Sequence, residues 1–206
     1  FHHPLYSASI MRWLITLIAD SMRAPQGGFQ GWLAMRVMAV ANPPSIFEGI
    51  KRLDLEATDT FVELGAGHGE GLKCLEQTTI PKRIVCVEIS SYFRAELEKV
   101  KGQVSFGDRV EIYPDDCKHM PFLDDNSVDK MFAMNVVYFL NPLQDYLSEI
   151  YRVLRPGGVI VFGCKFALLP DDDVFVNTKE ELIVEKMVEA GFKVQTTIVD
   201  EGGATH

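Results

Sequence analysis

Three carboxylates and a tight run of glycines mark where this chain could hold a ligand. The run is Val62-Glu63-Leu64-Gly65-Ala66-Gly67-His68-Gly69-Glu70-Gly71, and Glu88 closes the next apolar stretch. Closely spaced glycines let backbone approach a ligand where a Cβ would collide. An apolar strand predicted over residues 60–64 leads into them, and a helix-compatible segment over 70–77 follows. Strand, glycine turn and helix in that order describe a pocket for an adenosine-type cofactor.

Charge narrows the choice of cofactor. In the turn GxGxxG, the amides of a helix N-terminus meet a pyrophosphate. Here the third glycine comes one place early, at Gly69, and Glu63 stands two residues before Gly65. A carboxylate there repels a phosphate and suits a ligand bearing an ammonium group. S-adenosylmethionine (SAM) has that ammonium and no phosphate. Residues 83–88 predict a second buried strand ending in Glu88, with Ser90 or Ser91 able to cap a helix over 92–100. A carboxylate about 20 residues beyond the glycines can accept both hydroxyls of an adenosine ribose. NAD and SAM proteins share that feature, and a solvated strand-end glutamate is the plain structural alternative.

These residues resemble the class I SAM-dependent methyltransferases, in particular the type 11-like domains. The resemblance runs in order over residues 58–165. Glu63 to Gly69 is similar to the family's first motif and Glu88 to its ribose-binding acid. Asp116-Cys117-Lys118-His119-Met120-Pro121-Phe122 is similar to its D-x-x-x-L-P-F segment, and residues 127–135 to its fourth strand. Residues 149–158, ending in Leu154-Arg155-Pro156-Gly157-Gly158, resemble its L-x-P-G-G turn. The resemblance implies a Rossmann-like α/β fold with a doubly wound, mostly parallel sheet. It implies an enzyme that transfers a methyl group from SAM to a small-molecule acceptor by in-line displacement, leaving S-adenosylhomocysteine. The cofactor contacts it implies are Glu63, Gly65, Ala66, Gly67, His68, Glu88, Ile89, Asp116, Cys117 and Asn135.

The later motifs also have a physical reading. Asp116 follows the apolar strand predicted over 110–113, where a carboxylate could accept the exocyclic amine of adenine while a backbone amide donates to the ring. The resemblance favours Asp116 over Asp115, since Asp116 keeps the spacing to Pro121-Phe122; Asp115 reads as a solvated loop acid. Asn135 ends the fourth strand beside the switch point of the sheet, where ligands of open α/β sheets bind. Pro156-Gly157-Gly158 reads as a helix stop and a turn into a strand over 159–162.

Further acid-base candidates follow the fourth strand and the loop after Asp116. Tyr138 could orient a polar acceptor or act as a weak acid or base, against the alternative of a buried aromatic with a satisfied hydroxyl. His68 and His119 could be bases, against readings as a cofactor-adjacent and an exposed loop histidine. Asp171-Asp172-Asp173 reads as a solvated turn rather than a metal clamp, and no metal-ligand spacing occurs.

The whole chain sets bounds on partners. Its 206 residues suit one α/β domain with a cap, and a net charge of −9 argues against a nucleic-acid surface. Cys74, Cys86, Cys117 and Cys164 form no C-x-x-C pair and read as reduced thiols of an intracellular, cytoplasmic protein. The apolar segment 11–22 is too short to span a bilayer and is interrupted by Arg12 and Asp20. It reads as an amphipathic helix packed on the main domain, a membrane-surface helix being the alternative. The chain begins without an initiator Met, which leaves room for a removed leader.

Residues 1–45 are expected to form an N-terminal helical cap over the domain at 46–206. A breaker-rich link at 24–28 separates the first helix from a second over 32–41, which Asn42-Pro43-Pro44 ends; the domain then opens on a helix over 46–53. A helical lid over the strand ends would position an acceptor and exclude water. Trp13, Phe29, Trp32 and Met35 are candidates to line the acceptor site, with core packing as the alternative.

At the other end, a helix is expected over 178–190 with Thr178 as its cap, then a β-rich run over 192–199. Class I methyltransferases follow this with a final antiparallel strand, which the remaining residues resemble only as a turn. A truncated sequence, or a slot filled by another segment or chain, is therefore expected. Two readings of other classes stay open: a non-catalytic SAM-binding or scaffold protein, and an NAD-dependent oxidoreductase, against which Glu63 and the early Gly69 speak.

Overall fold

A computed structural model describes residue 36 and residues 42–169 and 175–199. Apart from residue 36, the expected cap helices lie outside the described residues, as do the candidates Trp13, Phe29, Trp32 and Met35, the acids 171–173 and the chain end at 200–206.

Five parallel strands form one sheet: β1 (Thr60–Leu64), β2 (Arg83–Val87), β3 (Val110–Tyr113), β4 (Val128–Met134) and β5 (Leu154–Gly163), in the order β3-β2-β1-β4-β5. The helices are α1 (Pro43–Lys51), α2 (Glu70–Leu75), α3 (Ser91–Lys101), α4 (Leu143–Val153) and α5 (Glu180–Glu189). All five residues of β1 are buried, as a central parallel strand covered on both faces requires. Its alternate side chains feed two cores. Phe61 packs with Ile50, Leu72, Leu97 and Phe132, while Val62 and Leu64 pack with Met131, Leu147 and Ile150. α3 is capped by Ser90, whose hydroxyl accepts from Phe93 N at 3.2 Å, so Ser90 rather than Ser91 is the cap.

Chain order reverses between β1 and β4, with β2 and β3 on one side and β5 on the other. This is the switch point at which the carboxyl ends of the strands leave a crevice. The fold is the Rossmann-like α/β arrangement expected from the sequence.

Five local expectations change. Pro156-Gly157-Gly158, expected as a turn into a strand over 159–162, lies inside β5, where the pairing register with β4 shifts between Val128–Leu154 and Lys130–Val159. Asn42-Pro43-Pro44 opens α1 instead of only ending the segment before it: Pro43 and Pro44 occupy the first turn, where a missing N–H costs no helical bond. α2 stops at Leu75 rather than residue 77. α5 begins at Glu180, not after a Thr178 cap, and its acidic first turn complements the helix dipole. Residues 192–198 form no strand, and Val199 alone has a β-bridge. Phe192 and Val194 are half-buried against the core, and the residues after them are exposed, so β propensity there meets no pairing partner among the described residues.

Candidate active site

Parallel register brings the chemistry-bearing ends of separate strands together. Glu63 pairs with Cys86 of β2 and Phe132 of β4, and Leu64 with Val87. The residues just beyond, from Gly65, Glu88 and Asn135 onward, therefore leave the sheet at one edge. A cleft of about 1030 Å³, open mouth included, lies there. All ten residues assigned to the cofactor from the sequence line it: Glu63, Gly65, Ala66, Gly67, His68, Glu88, Ile89, Asp116, Cys117 and Asn135. So does Asp115, half-buried rather than a solvated loop acid.

The glycine turn is built by three left-handed residues, Gly65, Gly67 and Gly69, at φ of 66°, 55° and 95°. A Cβ on Gly65 would also fall 2.5 Å from Val136 Cγ2. Gly65 N donates to Val87 O at 2.8 Å, stitching the turn to the end of β2. Gly69 has a packing role as well, since a Cβ there would lie 3.0 Å from Val100 Cβ and 3.2 Å from Leu97 Cδ1. The early third glycine thus lets α2 lie against α3.

Glu88 is held at both oxygens. Gly67 N donates to Oε2 at 2.8 Å and Ser90 N to Oε1 at 2.7 Å. Burial raises its pKa above the ordinary carboxylate value, against the pull of those two amides. Arg94 Nη1 donates to the carbonyls of Glu88 and Ile89 at 2.8 and 2.7 Å, which fixes the backbone between them.

Glu63 is different: it is 3% exposed, and its Oε2 has no hydrogen-bond partner. Burial, then the nearby Glu88 and Glu70, push its carboxyl up to about 8. The carboxylate lies over the first turn of α2, where a Cβ on Gly71 would stand 2.2 Å from Oε1. Gly71 is therefore part of the site, and the sequence held a signal for it, because glycine inside a helix costs about 1 kcal/mol and calls for a reason. Glu70 also lines the cleft; His68, then Lys73, pull its carboxyl down to about 2 against burial. His68 Nε2 stands 3.5 Å from Glu70 Oε1, within ion-pair reach but outside good hydrogen-bond geometry.

Asp116 lies in the loop after β3. Its Oδ1 accepts from Lys118 N at 3.0 Å and its Oδ2 from Tyr146 Oη, also at 3.0 Å. α4 braces this loop further along. Glu149 Oε1 accepts from Met120 N at 2.6 Å, and Arg152 donates to Met120 O at 3.1 Å, Leu123 O at 3.0 Å and Asp125 Oδ1 at 2.6 Å.

Asn135 takes a left-handed φ of 56° as it leaves β4. Its Nδ2 donates to Asn42 Oδ1 at 3.2 Å, and its Oδ1 accepts from Tyr138 Oη at 3.1 Å. Tyr138 itself is 2% exposed and does not line the cleft; its hydroxyl also accepts from Lys165 N, and burial raises its pKa far above the usual phenol value. Tyr138 thus orients Asn135 rather than presenting an acid or base of its own. His119 is exposed and also stands outside the cleft lining, its backbone N–H donating to Asp116 O at 3.0 Å. Val136, Phe139 and Leu140, from the segment after β4 where related enzymes often place residues facing the acceptor, line the cleft, whereas sequence reasoning missed Asn42, Ile46 and Tyr146 on its wall. No local motif marks them; the fold brings them in.

The residues of the cleft suit SAM by their own chemistry. It offers a buried carboxylate oxygen lacking a donor, a second carboxylate fixed beyond the glycine turn, and a third in the loop after β3. Fold and site define an α/β domain built to hold an adenosine-type cofactor at its switch point. Residues 62–162 match the family model described as a methyltransferase domain. The chain is 32% identical over 107 residues to a malonyl-[acyl-carrier protein] O-methyltransferase of Yersinia pestis, covering 50% of this chain and 36% of that protein. It is 29% identical over 101 residues to a sterol 24-C-methyltransferase of Pneumocystis carinii (strain B80), covering 49% of this chain and 26% of that one. It thus spans well under half the length of these curated relatives. A solved SAM-dependent methyltransferase from Aquifex aeolicus shares the fold with a TM-score of 0.66 at 17% identity, covering 82% of this chain and 92% of that one. The chain belongs to the class I SAM-dependent methyltransferases.

Proposed function

We propose that this chain transfers a methyl group from SAM to a small, partly apolar acceptor. The observation that carries the reading is the buried Glu63 carboxylate, with Oε2 lacking a partner, beside the doubly held Glu88. An ammonium group is the ligand that such a carboxylate suits, because it returns the charge that burial disfavours. Bound there, SAM supplies an electrophilic methyl group for in-line transfer. In this reading the protein's residues orient and shield: Glu88 accepts the ribose hydroxyls, Asp116 the adenine amine, and Gly65 and Gly67 allow close backbone approach.

Ile46, Val136, Phe139 and Leu140 line the rest of the cleft with apolar surface, and Asn42 adds one amide. This composition supports an acceptor with apolar bulk and a polar point. The relatives named above act at oxygen in one case and carbon in the other, so likeness to them supports the reaction class and leaves the acceptor atom open. The net charge of −9 supports a partner other than nucleic acid. No helix among the described residues is long and apolar enough to cross a membrane, which is compatible with a cytoplasmic enzyme.

Calorimetric titration with SAM and S-adenosylhomocysteine tests the cofactor. Micromolar-range binding is expected, weakened by about 1 to 3 kcal/mol in Glu88→Ala. Absence of both heat and thermal shift overturns the proposal. A second reading, a SAM-binding protein without turnover, draws on the placement of Tyr138 and His119 away from the cleft. Formation of S-adenosylhomocysteine with a mixed acceptor pool separates the two.

A further inference from the structure

Resting on the cleft as a SAM site, we propose that Tyr146 is a positioning residue that sets selectivity for a 6-amino over a 6-oxo purine. Tyr146 is 3% exposed, projects from α4 and lines the cleft beside Asp116. Its hydroxyl donates to Asp116 Oδ2 at 3.0 Å, while Lys118 N donates to Oδ1 at 3.0 Å. Asp116 itself is exposed, so water competes for both oxygens and the carboxylate would turn freely without these two donors.

The two bonds make Asp116 a rigid acceptor. Each carboxylate oxygen has two lone-pair directions, and one on each is already taken from the protein side. The directions that remain can only accept, so they favour an exocyclic N–H and repel a carbonyl oxygen. A site built to bond a ligand N–H rejects the analogue lacking it, provided its own group cannot swing away. Tyr146 supplies that condition from a helix whose position is fixed independently, because Glu149 and Arg152, three and six residues on, hold the same loop at Met120, Leu123 and Asp125.

The test compares S-adenosylhomocysteine with S-inosylhomocysteine, its 6-oxo counterpart, by calorimetry on the unmodified chain and on Tyr146→Phe. The unmodified chain is expected to prefer the adenine form by about tenfold or more. In Tyr146→Phe, which keeps the ring in the core, affinity for the adenine form should fall about tenfold and affinity for the 6-oxo form should stay within about twofold. Equal weakening of both ligands, or an unchanged ratio, would mean that Tyr146 acts only through packing and overturns the inference. An unmodified chain that binds the two within about twofold of each other overturns it without any variant. If the unmodified chain binds neither, the SAM reading itself falls, an outcome distinct from a lost preference.

Discussion

The two halves of the cleft are built on different terms. At the glycine-turn half, two carboxylates are each held at both oxygens: Glu88 by Gly67 and Ser90, and Asp116 by Lys118 and Tyr146. At the other half, apolar side chains of α1 and the segment after β4 meet, with one amide contact, Asn42 to Asn135, spanning 93 residues. Paired hydrogen bonds make the first half a fixed template for one ligand. The second half is shaped by how elements pack, so it can be altered without disturbing the first.

That contrast can be tested by measurement, and the largest expected effect concerns Glu63. Its carboxyl is raised from 4.5 to about 8, so between those values the folded chain holds a proton that the unfolded chain has released. Stability is therefore greatest below the window and falls as pH rises through it, by roughly 3 to 5 kcal/mol. Thermal melts across that range should show the decline, and Glu63→Gln should flatten it; Glu88, shifted in the same direction, leaves a residue of the effect. A Tm that rises with pH would contradict the placement of Glu63.

Next in size is Gly71→Ala. The added methyl would overlap the Glu63 carboxylate, and a loss of about 2 to 3 kcal/mol in denaturant unfolding is expected, together with loss of S-adenosylhomocysteine binding. Arg152→Ala removes the brace on the Asp116 loop. It should cost about 1 to 2 kcal/mol of stability and weaken adenine and 6-oxo ligands alike, unlike Tyr146→Phe. Smallest on the cofactor side is Phe139→Ala, which should leave S-adenosylhomocysteine affinity within about twofold while changing the KM for any acceptor found. Parallel loss of cofactor binding in that variant would show that the two halves are not separable.

The same contrast explains what could be read from the sequence. β1 and β3 fall on the predicted residues, and β2 ends just before Glu88, because a short apolar run bounded by turn residues specifies a buried strand locally. The ten residues placed on the cleft lie in or soon after the ends of those three strands, apart from Asn135, which follows β4. Gly71 was within reach, as a glycine inside a helical segment. Asn42, Ile46 and Tyr146 were not, since Ile46 and Tyr146 reach the cleft from helices whose sequence reads as ordinary packing and Asn42 from the residue before α1. Tyr138 reads alike as an acid or as a core aromatic, and only its burial against Phe166 and Phe175 decides where it sits. The run after Gly191 misled for the opposite reason: strand propensity is local, but strand pairing is not.

Asn135 carries a consequence for how this protein can change over time. Its backbone, at a φ of 56°, admits asparagine, aspartate or glycine with little strain and penalises other side chains. Its side chain donates to Asn42 and accepts from Tyr138 at once, which an amide can do as it stands, a carboxylate only if the Asn42 amide turned over to donate, and a hydrogen atom not at all. Of the residue types that the backbone admits, asparagine alone makes both bonds without a change at Asn42. Drift at this position is narrowed in a way that it is not at Phe139 or Leu140, and a lineage adopting a new acceptor would be expected to vary those neighbours while leaving Asn135 alone.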